Sequence, residues 1–178
     1  MTQWLNRIVR YGEEAPEQLL ANPRNFRTHP NAQRNAMRGV LDEIGFVAPV
    51  IVNENTGHVL DGHLRIEEAL SRGQTTLPVA YVRLSEVEEA EALATFDRLG
   101  ALAGQDAALL DDLLRDVSSA DSGVQEMLAG LAASAGLDYD ATQRTNAVAD
   151  VQFKEYDESI AGTVEYCTCP ACGHKWPK

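Results

Sequence analysis

The stretch that constrains this chain most is Val59-Leu60-Asp61-Gly62-His63-Leu64-Arg65, where a β-type run ends in Asp-Gly and a helical pattern opens at once. A strand-turn-helix junction aims the free N–H groups of the helix's first turn at one point. With the positive end of the helix dipole, they form an anion site. Gly62 permits close backbone approach or a positive φ. Arg65, in the first turn, offers a forked guanidinium to a phosphate. Asp61 is placed to hold Mg2+ or to accept a proton, and His63 to hydrogen-bond a phosphate oxygen. The competing reading is structural: Asp-Gly is a common turn, and Asp61 then only caps the helix.

The surrounding pattern predicts a mixed α/β head. Trp4, Leu5, Ile8 and Val9 suit a packed arm or a paired segment, and residues 16–20 a short helical turn ended by Asn22-Pro23. Asn31 is a suitable N-cap for a helix over residues 32–44, with Met37, Val40, Leu41 and Ile44 on one face and Gly45 ending it. Residues 49–53 form a β-branched run, 54–57 a turn, and 58–60 the returning hairpin strand. The loop helix ends at Gly73. A third strand follows over residues 77–84, with Pro78 suited to an edge or to a strand's first residues.

Ser85 with Glu88 reads as a capping box opening a helix to about Leu99. Asp106 caps the next, whose Leu109, Leu110, Leu113, Leu114 and Val117 form one stripe. Ser122 with Gln125 opens a third helix, carrying Val124, Met127, Leu128 and Leu131. Such stripes are packing faces. The expected divisions are a head over residues 1–100, an acidic helical segment over 101–138, a polar linker over 139–162 and a tail over 163–178.

Charge is unevenly placed. Residues 1–40 carry six Arg against three Glu, net +3, whereas the whole chain is −12. A general nucleic-acid coat is disfavoured by that total. A local phosphate-facing surface of Arg24, Arg27, Arg34, Arg38 and Arg65 remains as an expectation. No apolar run approaches the roughly 20 residues of a membrane span, and no leader-like pattern opens the chain, which predicts a soluble cytoplasmic protein without membrane contact.

The order of these pieces resembles the N-terminal domain of the ParB/sulfiredoxin superfamily. The residues that carry the likeness are Asn22-Pro23-Arg24, then Gly45-Phe46-Val47-Ala48-Pro49, then Gly62-x-x-Arg65-x-x-x-Ala69. It spans roughly residues 15–100. The resemblance implies a small mixed sheet and a bound nucleoside triphosphate with Mg2+, held by Gly62, His63, Leu64, Arg65, Arg24 and Arg98. Asp61 and His63 take the catalytic positions. Sulfiredoxins carry a nucleophilic cysteine where this chain has His63, and the head holds no cysteine, so that chemistry is excluded. Chromosome-partitioning ParB proteins have an acid at position 63 and an arginine where this chain has Leu64. The Asp-Gly-His-x-Arg form looks more like free-serine kinases and stand-alone ParB-like proteins of phages and mobile elements. The segment matching the family's acid-Asn pair is Phe96-Asp97, which leaves Asp97 as a metal candidate beside Arg98.

The resemblance thus implies a nucleotide-binding accessory factor that acts beside DNA. NTP hydrolysis and phosphotransfer are both left open, and a homodimer is among the expected assemblies. The alternatives are a small-molecule (free amino acid) kinase and a binding module without turnover. No cluster of acids around the loop supports nuclease chemistry.

The tail carries a separate signal. Cys167-x-Cys169-x-x-Cys172-x-His174 packs four zinc-type ligands into eight residues, and Cys169-Pro170-Ala171-Cys172-Gly173 has the form of a zinc knuckle. The set predicts bound Zn2+, completed by Cys167 and His174, or with help from a distant His or a second subunit, with Trp176 packing over it. All three cysteines of the protein lie here, which argues against a disulfide framework.

Overall fold

The computed structural model describes residues 3–139, 166–168 and 170–177. They fall in two compact units, Met1–Thr145 and Asn146–Lys178. The first begins with β1 (Ile8–Glu14), a 3-10 turn at Pro16–Gln18 and α1 (Asn31–Glu43). There follow β2 (Val50–Asn53), β3 (Val59–Asp61), α2 (His63–Arg72) and β4 (Leu77–Val82). Three helices complete it, α3 (Glu86–Ala101), α4 (Ala107–Asp116) and α5 (Ser122–Ser134).

The four strands form one mixed sheet in the order β1-β4-β2-β3. β2 and β3 make the expected antiparallel hairpin, with Val52 opposite Val59. β4 then returns parallel to β2 across the α2 crossover, while β1 lies antiparallel on its other side. The N-terminal segment therefore supplies an edge strand, and β4 is central. Pro78 faces Glu13 of β1 and precedes Val79, where the β2 register starts, so its missing N–H removes no bond to β2. Val50, Val52, Val59, Leu77 and Val79 pack against Ile66 and Ala69 of α2 in the main core.

α1 keeps Val40 of its predicted face packed against the α4 and α5 core, but its most buried side is turned away from the rest of that face. Ala36 and Gly39 are its buried residues, and Ile44 is exposed. The cause is α5, which crosses α1 where both helices carry glycine. A Cβ on Gly39 would stand 2.6 Å from Val124 Cγ2, and one on Gly123 would stand 2.8 Å from the Asn35 carbonyl carbon. Close approach of this kind needs small residues on both sides. N-caps shift accordingly. Pro30, not Asn31, precedes α1, and Asp121, not Ser122, caps α5 by accepting from Val124 N–H. The Ser85–Glu88 capping box and the Asp106 cap form as expected.

The α4 stripe divides. Leu110, Leu114 and Val117 pack with Val124, Leu128 and Ala132 of α5, whereas Leu109 and Leu113 are exposed. A short helix packed along one side buries one edge of its apolar face.

In the second unit, β5 (Tyr166–Thr168) pairs antiparallel with β6 (Lys175–Pro177), setting Cys167 opposite Trp176. Gly173, in the turn, has φ 74°. Cys167 and Cys172 are free thiols. The predicted linker, apart from Tyr139, and Cys169 of the knuckle lie outside the described residues. Among the described residues no three His, Cys, Asp or Glu side chains gather as a ligand set, and no helix is long and apolar enough to cross a membrane.

Candidate functional site

The Asp-Gly junction folds as a strand end running straight into a helix. Gly62 sits at φ 101°, ψ 14° and acts as the N-cap of α2 with no side-chain capping bond. Asp61 does not cap. Its Oδ2 instead accepts from Arg65 Nη2 at 2.7 Å, and the same nitrogen donates to the Pro49 carbonyl at 3.2 Å. The first-turn N–H groups of α2 are left without a side-chain partner, at the positive end of the helix dipole.

These groups open on a pocket of about 270 Å3, which Asp61, Gly62, His63, Leu64 and Arg65 share with Arg27, His29, Gln33, Met37 and Asp97. The structure thus brings Asp97 to the loop. Its carboxylate meets Arg27 Nε at 2.7 Å, and Arg27 also donates to the Leu93 carbonyl at 3.1 Å. Arg24 and Arg98 are exposed and do not line this pocket. Two Arg–Asp pairs, Arg27–Asp97 and Arg65–Asp61, leave the pocket balanced in charge.

His63 is buried, and its Nε2 accepts from the backbone N–H of Asn22 at 3.4 Å, which places the ring proton on Nδ1. Asn22 is itself held. Its Nδ2 donates to Glu89 Oε1 at 2.8 Å, and its Oδ1 accepts from Arg24 N–H at 2.9 Å. Burial, joined by the positive charge of Arg27, pushes the His63 pKa down from its ordinary value, so the imidazole is neutral at pH 7.

A group depressed in this way makes the fold less stable as pH falls, because the unfolded chain takes up a proton that the native chain refuses. The expected loss of urea stability begins below about 6.5, the ordinary histidine value, and is complete below the native pKa. A His63→Gln variant should flatten that part of the profile. Equal slopes in the two proteins would show that His63 does not resist protonation.

Two buried side-chain polar atoms among the described residues lack a hydrogen-bond partner, His29 Nε2 and Arg65 Nε. Both residues line this pocket. His29 Nδ1 donates to Gln33 Oε1 at 3.1 Å, which turns the other ring nitrogen to a place with nothing to bond. Sequence reasoning named Arg27 only as part of a basic face and missed His29, Gln33 and Met37. The available signal was their nearness to the Asn22-Pro23-Arg24 segment.

Four of the five arginines of the basic face, all but the exposed Arg24, are held in ion pairs. Arg34 pairs with Glu67 and Glu68, Arg38 with Glu68 at 2.9 Å, Arg65 with Asp61 and Arg27 with Asp97. The acids of α2 and α3 answer the arginines of α1 and its lead-in, so a continuous cationic surface is not formed.

No family model matches the sequence, and no curated protein matches it. Among solved structures, it is similar to the C-terminally truncated chromosome-partitioning protein ParB from Caulobacter crescentus, in complex with CTP-gamma-S. That match has 19% identity and a TM-score of 0.47, and covers 73% of each chain. Two structures of a pNOB8-like ParB N-domain match at 13% and 15% identity, with TM-scores of 0.44 and 0.43. These cover 97% and 99% of this chain but only 59% and 56% of theirs. The similarity is to ParB structures, the group that the ordered motifs of the head resemble. With each of these three TM-scores below 0.5, the chemistry of the site rests on its own geometry.

Proposed function

We propose that the head binds a nucleoside triphosphate with Mg2+ at the start of α2, in the service of a nucleic-acid-associated accessory role. The observation that carries this is that the pocket faced by the uncapped end of α2 is lined by both residues that hold a partnerless buried polar atom, His29 with Nε2 and Arg65 with Nε. Buried polar groups are nearly always bonded, and two exceptions on residues of one pocket fit a site built for a polar ligand.

The charge balance says which ligand. A bare anion meets Asp61 and Asp97, and a bare cation meets Arg27 and Arg65. A magnesium–phosphate complex carries both signs and satisfies both. Carboxylate oxygens suit Mg2+, so Asp61 and Asp97 are the residues to hold it, and Arg65, Arg27 and the α2 amides the residues to hold phosphate. The ion, when bound, neutralises phosphate charge. The chain's own contribution is to orient the phosphates and to keep a neutral His63 beside them. In a thermal-shift screen with Mg2+, a nucleotide at about 100 times its Kd should stabilise the protein by about 2.7 kcal/mol. No shift with any nucleotide would contradict the reading.

The nucleic-acid part is supported by the ordered ParB-like motifs of the sequence. The paired arginines argue that such contact is not made by Arg27, Arg34, Arg38 and Arg65 as they stand. Linkage gives the test: if DNA and nucleotide act together, each alters the other's affinity by the same factor.

For the tail, Zn2+ bound by Cys167, Cys169, Cys172 and His174 is proposed from ligand type and spacing. Purified protein should carry about one zinc per chain, and Cys172→Ser should release it. A ratio of one per two chains would mean a shared site. Protein purified without chelator and free of zinc would refute the assignment.

A further inference from the structure

β1 is half-used by the sheet. In the order β1-β4-β2-β3 its inner edge pairs with β4, and no described strand pairs with its outer edge. A free edge is a template for another strand, and soluble proteins guard it with charge, proline or an irregular backbone. β1 carries one such device, a register shift between Ile8 and Arg10. From Arg10 to Glu14 the pairing with β4 is regular, and the charges on that stretch are of both signs. Large apolar side chains are open along the strand and its lead-in, with Trp4 97% and Tyr11 69% accessible and Leu5, Ile8 and Val9 also exposed. The proposed phosphate site uses none of them.

The order of charge along β1 identifies the occupant. Arg10 and Glu14 lie on one face of the sheet, both against Tyr81. The guanidinium stands 3.3 Å over the ring, and Glu14 Oε1 accepts from the hydroxyl at 2.6 Å. Gly12, between them, adds no side chain to that face. Side chains directly opposite in an antiparallel pair share a face and stand about 5 Å apart. A second β1 running antiparallel and centred on Gly12 therefore sets Arg10 of each copy opposite Glu14 of the other, and Tyr11 opposite Glu13. Of the symmetric registers near it, those centred on Arg10 or Glu13 oppose like charges, and that centred on Tyr11 leaves Arg10 facing a glycine. Arg10 already donates to Glu54 Oε1 at 3.3 Å. That pair is exposed and weak in water, and a guanidinium with five N–H donors can meet a second carboxylate. We infer that a second copy of this chain docks on β1, edge to edge, and continues the four-stranded sheet across a two-fold axis at Gly12. A symmetric contact of this kind closes at two copies. The inference rests on the fold alone and stands whether or not the head binds nucleotide.

Sedimentation equilibrium of the full chain over a concentration series should show a monomer–dimer equilibrium. Amide exchange in the unaltered protein should slow within residues 10–14 as dimer forms. Arg10→Glu makes both contact positions acidic in every copy, and Glu14→Arg makes both basic. Each variant alone, folded by circular dichroism, should dimerise about tenfold or more weakly, since like charges face each other. Mixed in equal amounts, the two variants restore opposite charges at both contacts, and the mixture should recover the dimer. Repaired folding cannot produce that recovery, because mixing changes neither chain. An unaltered protein that stays monomeric, or exchange in residues 10–14 that is indifferent to concentration, would overturn the inference. So would a mixture no more associated than its components. A dimer unmoved by either substitution would place the contact elsewhere, as in a shared zinc site, and would overturn it equally.

Discussion

Replacing Glu89 with alanine should cost the head about 3–5 kcal/mol of stability, because it strands several buried donors at once. Glu89 lies on α3 with 4% of its surface exposed. Its carboxylate accepts from Asn22 Nδ2 at 2.8 Å, Asn53 Nδ2 at 2.6 Å and Thr56 Oγ1 at 2.6 Å, with His58 Nδ1 at 3.4 Å. Asn53 is fully buried and has no water to turn to. Burial alone would raise the Glu89 pKa, but the bonds from Thr56, Asn53, Asn22 and His58 outweigh it and hold the carboxyl below its ordinary value. Its contribution to stability is therefore present above the unfolded carboxyl value and is lost as pH falls through the native one. Urea unfolding of Glu89→Ala and Glu89→Gln reads this directly. A loss under about 1 kcal/mol, the scale of a single neutral hydrogen bond, would mean that the network is not holding the hairpin, the Asn22 turn and α3 together.

The second large effect belongs to Gly62. Alanine there should cost about 2–4 kcal/mol, the sum of left-handed backbone strain and overpacking, and should remove phosphate affinity. The φ of 101° disfavours any L side chain. The new Cβ would also stand 2.9 Å from Val50 Cγ2 and 3.2 Å from both Val50 Cα and Arg65 Nη2. Val50 is 1% exposed and cannot withdraw, so Arg65 or the α2 start must move. Gly57→Ala is the control. Its φ is 75°, but no atom lies within 4 Å of the added Cβ, so it suffers strain alone. Equal losses at the two positions, measured by denaturation, would show that the close approach at Gly62 carries no energy.

Parts of this architecture were legible because they are local. The β2–β3 hairpin is written in a β-branched run, a Gly-ended turn and a returning apolar pair. The α2 junction follows from Asp-Gly before a helical pattern, and the α3 start from Ser85 and Glu88. What was not legible depends on partners distant in sequence. Glu88 and Glu89 look alike in the chain, yet one closes a capping box and the other is the buried hub. α1 turns Ala36 and Gly39 inward because Gly123 meets it more than 80 residues later, a contact that no helical period encodes. The arginines read as a free phosphate-facing set because their acids, Glu67, Glu68 and Asp97, sit on other helices. Asp61 was legible as a site residue, but its pairing with Arg65 four positions on changes what it offers. On the proposed reading, an incoming ligand would replace the Arg65–Asp61 ion pair with two new interactions, rather than fill an empty clamp.

That exchange is the central claim, and a titration of Arg65→Ala beside the unaltered protein tests it most directly, with each nucleoside triphosphate run with and without Mg2+. The unaltered protein should bind at least one nucleotide saturably, and removal of Mg2+ should abolish the binding, since phosphate that draws Arg65 and Arg27 from Asp61 and Asp97 then leaves both carboxylates without a counter-ion. Arg65→Ala, folded by circular dichroism, should bind that nucleotide about 1.5–3 kcal/mol more weakly, the range for a charge-assisted hydrogen bond. Equal affinity in the two proteins, or binding indifferent to Mg2+, would contradict the account.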